Sequence, residues 1–248
     1  MAEPTERVNT PISTAELERR WKAVRAAMER DGVDVLVMQN NNDHMGGYVK
    51  YFTDIPAGNG YPVTVVFPRD DLMTVVMQGP LGGVETPLPS DAVRRGVKRV
   101  LTTPSYASAM YTNEYDPELA ASALIRFGNA TIGLVCTYQM SLALGESLKR
   151  RLPAARFVDA SDLVDRIKGI KSEEEMERIV ATARMQDGAP VTPERVKRWV
   201  ADEVSKLRAV GPGGGQSRLE DAAALFEKVA LSRTFTEFLT IPAYEVLE

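Results

Sequence analysis

The chain has 248 residues, 44% of them hydrophobic, enough for one large domain or a domain with a smaller appendage. A net charge of −4 without a long basic run makes it a poor partner for a phosphate backbone, so no nucleic acid is expected. No apolar stretch reaches the roughly 18 residues that would span a bilayer, so no membrane is expected either.

Residues 1–12 carry two prolines and several polar groups and read as a flexible lead-in; they lack the apolar centre of a secretory signal. Ser13 and Glu16 then make an S-x-x-E capping box. Leu17, Trp21, Val24 and Met28 follow on one helical face, and Asp31-Gly32 ends the helix. Val33–Met38 is a short β-rich run and predicts a buried strand. Residues 39–60 read as loop-rich. Val63–Phe67 and Leu72–Met77 are two strands joined by the turn Pro68-Arg69-Asp70-Asp71. An irregular stretch with Gly82-Gly83 and prolines 80, 87 and 89 precedes a strand over Val97–Leu101. The pattern then alternates: helix Pro117–Phe127, strand Thr131–Cys136, helix Met140–Leu152, strand Arg156–Asp159, helix Ser161–Ile167. This predicts an α/β fold, a three-layer mixed β-sheet with helices on both faces.

Ser172 and Glu175 form a second capping box, and Met176, Ile179, Val180 and Ala183 give that helix its apolar stripe. Asp187-Gly188-Ala189-Pro190 breaks it. Thr192 caps the next helix with Pro193 in first position, and Val196, Trp199, Val200, Val204 and Leu207 are expected to form its buried face. Residues 211–217 are Gly-rich and read as a linker before an amphipathic helix over Leu219–Leu231 and an apolar tail over Phe235–Leu247. The expected division is a lead-in (1–12), an α/β domain (13–170), a linker helix (171–187) and a small all-helical appendage (188–248).

His44 is the only imidazole and Cys136 the only thiol. Zinc sites draw on several such ligands, and a Ser-His-Asp or Cys-His arrangement would have to use His44 itself. His44 sits in a polar Asn/Asp loop and reads as exposed or hydrogen-bonded. Cys136 ends an apolar strand and reads as a buried small hydrophobe in a reducing, cytoplasmic setting. Asp54, Asp70, Asp71, Asp159 and Asp162 suit turns and helix caps better than a carboxylate metal site. Gly79-Pro80-Leu81-Gly82-Gly83 lacks the G-K-[ST] ending of a phosphate loop. No catalytic, metal or cofactor-binding residue is therefore assigned, and no cofactor is expected. A cleft between the 39–60 and 79–90 loops is the place where a small ligand would bind.

Two resemblances extend this reading. The opening helix running into Gly32-Val33-Asp34-Val35-Leu36-Val37, then Tyr48–Thr53, the hairpin and Ile167-Lys168-Gly169-Ile170-Lys171-Ser172-Glu173-Glu174-Glu175-Met176, resembles the amino-terminal domain of the creatinase and Xaa-Pro peptidase superfamily. The last stretch is similar to the family's K-S-x-x-E-[IM] junction. The resemblance implies a module that shapes substrate access or a dimer interface. The family's metal site needs a histidine, two aspartates and two glutamates, and no histidine follows Lys171. Asp187-Gly188-Ala189-Pro190-Val191-Thr192-Pro193, Asp202-Glu203-Val204, Leu219–Phe226 and Phe235-Thr236-Glu237-Phe238-Leu239-Thr240-Ile241-Pro242-Ala243-Tyr244 resemble the carboxy-terminal end of bacterial malate synthases, whose catalytic barrel is absent here. Together they imply a chimeric, non-catalytic module for assembly or substrate gating that pairs with itself or with a catalytic chain and takes a small-molecule or peptide ligand. The alternatives are a Xaa-Pro peptidase or creatinase-like hydrolase acting with a partner chain, a malate synthase-derived fragment, and a small-ligand-binding domain.

Overall fold

The computed structural model describes residues 11–40, 47–55, 61–106, 109–182, 185, 188–210 and 218–232. The chain divides into two compact units, Met1–Glu174 and Glu175–Glu248.

In the first unit, α1 (Thr14–Asp31) is capped by Ser13, whose hydroxyl accepts the Glu16 N–H, and closes at Gly32 with φ of 67°. Only half of the predicted capping box forms. The Glu16 carboxylate turns to Arg19 and Arg20, and the Ser13 N–H donates instead to Glu174 Oε1 at 2.8 Å. Strand β1 (Val35–Asn40) leads to α2 (Tyr48–Thr53), a short helix inside the segment expected to be loop-rich. The hairpin forms as expected from β2 (Val63–Pro68) and β3 (Met73–Gln78). The irregular stretch holds β4 (Gly83–Glu85), which pairs antiparallel with β5 (Val97–Thr103). Then come α3 (Tyr115–Leu124), β6 (Thr131–Val135), α4 (Leu142–Arg151), β7 (Arg156–Asp159) and α5 (Ser161–Gly169).

The strands make one seven-stranded mixed sheet in the order β4-β5-β3-β2-β1-β6-β7. β1, β3, β5, β6 and β7 run in one direction; β2 and β4 oppose them. Alternation along β1 shows why both faces are covered. Leu36 and Met38 point into a core with Leu17, Trp21 and Met28 of α1, Phe52 of α2 and Val164 of α5. Val35 and Val37 point into a second core with Leu124 of α3 and Leu144 and Leu148 of α4. The expected three layers are present. Gly96, at φ of 70°, lies so near α1 that a Cβ there would sit 2.5 Å from the Trp21 ring.

The second unit contains α6 (Glu173–Thr182, which begins just before the boundary), α7 (Pro193–Val210) and α8 (Leu219–Ala230). Thr192 caps α7 as expected, accepting the Arg195 N–H at 3.3 Å. The stripe expected to be buried is not. Trp199 is 36% and Leu207 57% exposed: α8 packs along α7, and one helix alongside another covers only part of an apolar face. The Gly-rich linker and the apolar tail lie outside the described residues. No described helix is long and apolar enough to cross a membrane.

Candidate functional site: a crevice at the carboxyl ends of the strands

β1 and β6 are parallel neighbours, yet the helices that come after them go to opposite faces: α2 packs with the first core, α4 with the second. Such a divergence leaves a crevice beyond the strand ends, the usual ligand position in open α/β sheets. A cavity of about 290 Å³ lies there, lined by Gln39 of β1, Ser105 after β5, Asp116 and Pro117 of α3, and Gln139, Ser141, Leu142 and Ala143 at the start of α4.

Each wall has a local cause. Gln39 is buried and spans the crevice floor: its Nε2 donates to Thr64 Oγ1 at 3.0 Å, and its Oε1 accepts from the Ser141 N–H at 3.4 Å. Cys136 directly follows β6 with φ of 60°, a left-handed turn that costs a non-glycine residue roughly 1 kcal/mol or more. Its N–H is held by Ser161 Oγ at 2.9 Å and its carbonyl by the Gln139 N–H at 3.0 Å. The thiol is buried, as expected, and burial pushes its pKa up. The α4 cap then follows, Ser141 Oγ accepting from Leu144 N at 3.2 Å, which leaves the N–H groups of Leu142 and Ala143 facing outward from the helix start without a protein partner. Tyr106, on the opposite wall, meets the Tyr61 ring edge-on with centroids 5.5 Å apart.

Asp116 is the feature that the sequence did not single out. It lies in the first turn of α3 and is only 3% exposed. Its Oδ1 is buried without a hydrogen-bond partner. Burial raises its pKa to about 6, against the pull of a hydrogen bond from Ser105. Among the described residues, none that lines the cavity is basic.

The remaining candidates fall elsewhere. His44 lies outside the described residues. Asp54 caps α2 and binds Arg95 and the Ile12 N–H, each at 2.9 Å. Asp71 is tied to Lys98 and Arg126, Asp70 lies 3.8 Å from Arg126, and Asp159 accepts from the Ser161 N–H and Thr137. Asp162 sits in the first turn of α5. Among the described residues, no three His, Cys, Asp or Glu side chains come together as a metal-holding group. Of the two loops expected to frame a cleft, the 39–60 segment contributes Gln39 to this cavity, while residues 79–90 line none of it: β4 has taken that stretch to the far edge of the sheet. A separate apolar groove of about 600 Å³ runs between α7 and α8, lined by Trp199, Val200, Leu207 and Phe226.

Comparison with known proteins finds two likenesses. Residues 170–247 match the family model "Malate synthase, C-terminal". A 68-residue stretch is 37% identical to malate synthase of Myxococcus xanthus (strain DK1622), covering 27% of this chain and 13% of that protein. The match takes in Ile170–Ile179, the same residues that resemble the peptidase junction. Among solved structures, the chain is similar to a Xaa-Pro dipeptidase from Bacillus anthracis (TM-score 0.48, 13% identity, 86% of this chain and 49% of that one). It is also similar to the dipeptidase PepE from Mycobacterium ulcerans (TM-score 0.49, 18% identity, 87% and 50%). A third likeness is to the N-terminal domain of the cytoplasmic peptidase PepQ from Mycobacterium tuberculosis H37Rv (TM-score 0.42, 12% identity, 60% and 98%). The chain thus spans about half the length of the two dipeptidases and a small part of the malate synthase. Its solved neighbours are peptidases of the Xaa-Pro kind or their amino-terminal domains, and its carboxy-terminal segment is malate synthase-like.

Proposed function

We propose that this chain is a non-catalytic module that acts by association, supporting assembly or gating substrate for a catalytic chain of the Xaa-Pro peptidase and creatinase kind. The observation that carries this reading is the open apolar stripe of the second unit. Trp199, Leu207 and Phe226, at 36%, 57% and 53% exposure, lie along one groove. An apolar surface of this kind is stabilised by burial against a partner. The occupant we favour is a second copy of this chain, because a helical hairpin that presents the same stripe can pair isologously about a two-fold axis.

Light scattering across a dilution series tests it. A dimer that dissociates on dilution and is lost in Trp199→Glu supports the reading; a monomer at all concentrations overturns the self-association. Hydrolysis of a Xaa-Pro dipeptide by the chain alone, with manganese or cobalt added, would overturn the non-catalytic part.

A second reading has its own support in the 37% identity over 68 residues. The second unit is then a malate synthase-derived helical plug. Its test is whether the chain, alone or with a separate barrel, releases thiol from acetyl-CoA in the presence of glyoxylate and magnesium. Release with the barrel only would favour the plug.

A further inference from the structure

We propose that the crevice at the carboxyl ends of β1, β5 and β6 binds a free α-amino acid, its ammonium on Asp116 and its carboxylate on the N–H groups of Leu142 and Ala143.

Three observations converge on this ligand. The first is Asp116: a carboxyl that is 97% buried, as its 3% exposure implies, keeps one oxygen without a partner. Burying an unsatisfied polar atom costs roughly 1–3 kcal/mol, and native proteins seldom leave one without reason. Asp116 lines the cavity, and a turn of its carboxyl toward that space would let an ammonium supply the missing donor. The second is the start of α4. A ten-residue helix carries partial positive charge at its first turn, and the cap residue Ser141 satisfies Leu144 while leaving Leu142 and Ala143 free. A carboxylate fits those two donors.

The third is the charge balance of the described lining. Among the described residues that line the cavity, Asp116 is the only carboxylic acid and none is lysine or arginine. A simple amine would leave the helix end unmatched; a simple carboxylate would face Asp116 with nothing between them. A zwitterion matches both poles and adds no net charge. The volume of about 290 Å³ suits a molecule of amino-acid size and is small for a peptide. Pro62, Tyr106, Pro117 and Leu142 give one part of the lining an apolar character and Gln39, Asn113 and Gln139 another part a polar one, so a small side chain with an apolar contact is favoured. The raised pKa of Asp116 fits the same picture, since a bound ammonium would return the carboxyl to its charged form. This inference is independent of the association proposed above: it uses only the first unit.

L-valine and its two half-molecules, isobutylamine and isovalerate, separate the poles. Each is titrated into the ¹⁵N-labelled full chain near neutral pH and followed by amide chemical shifts. L-valine should move the Leu142 and Ala143 resonances saturably at concentrations up to about 10 mM. Each half-molecule should bind roughly tenfold more weakly, or worse. Asp116→Asn removes one pole. Leu142→Pro removes one N–H of the other and suits the helix, because proline is accepted at the first helical position and Ser141 already has the extended φ and ψ of −61° and 137°. Each variant should weaken L-valine roughly tenfold or more. No response to L-valine, a half-molecule that binds as tightly, or unchanged binding by either folded variant overturns the proposal.

Discussion

Glu16 Oε1 lies 2.7 Å from Arg20 Nε one turn further along α1, and both side chains are about 95% buried. Arg20 also donates to the Tyr51 carbonyl at 3.2 Å and lies over the Tyr51 ring, so the pair joins α1 to α2. Removing the Glu16 carboxylate takes the ion-pair partner from a buried guanidinium. Glu16→Ala should therefore cost roughly 3–5 kcal/mol in urea unfolding. The pair also sets an acid response. Burial pushes the Glu16 carboxyl up, but hydrogen bonds from Arg19, Arg20 and Ser172 outweigh it and hold its pKa at about 2 against an ordinary 4.5. A depressed carboxyl stabilises the fold fully above 4.5, and that contribution is lost as pH falls through about 2. Stability measured from neutral to strongly acid pH should fall less steeply in Glu16→Gln.

Asp116 behaves in the opposite sense. Its pKa of about 6 lies above the ordinary 3.8, so the folded state favours the protonated form. The destabilisation is absent below 3.8 and complete above about 6. Asp116→Asn should raise stability near neutral pH, by roughly 3 kcal/mol at most, and the gain should vanish at acid pH. A variant that is no more stable at neutral pH would show that the unpaired oxygen carries no penalty.

Gly96 and Trp21 are held in direct contact. A methyl group at residue 96 meets the indole ring at 2.5 Å on a backbone with φ of 70°. The ring has little room to yield, since its Nε1 donates to the Phe52 carbonyl at 2.8 Å. Gly96→Ala should cost roughly 2–3 kcal/mol, read as a lowered Tm without loss of the far-ultraviolet helix signal.

Both apolar cores lie wholly within the first unit. Residues 1–174 expressed alone should unfold cooperatively and keep the sheet, since the Ser13–Glu174 contact is included. Broad, non-cooperative urea unfolding of this fragment would mean that the second unit completes the fold.

The sheet strands were legible wherever an apolar run exceeded four residues, as in Val63–Phe67, because burial on both faces leaves an almost uninterrupted β-branched signal. α2 escaped because Tyr48-Val49-Lys50-Tyr51-Phe52-Thr53 has the composition of a strand and becomes helical through packing of Phe52 into the core and left-handed residues at both ends, Gly47 and Asp54. β4 escaped because three residues carry no periodicity. For the site, Gln39 was within reach of the sequence as the end of a buried strand. Asp116 was not: Tyr115-Asp116-Pro117 looks like any acidic helix start, and only the approach of Ser105 and the α4 turn from distant parts of the chain seals it. The stripe through Trp199 was read correctly in period and wrongly in burial, since period fixes which face is apolar but not whether anything covers it.

The sheet ends in the three-residue β4 on one side and the four-residue β7 on the other, and both leave charged or half-exposed residues at their rims. Strands this short offer too few unpaired backbone groups to template a further strand. Concentrated solutions should therefore resist fibre growth through the sheet, and a thioflavin signal, if one is provoked, should come only after the α/β unit has opened.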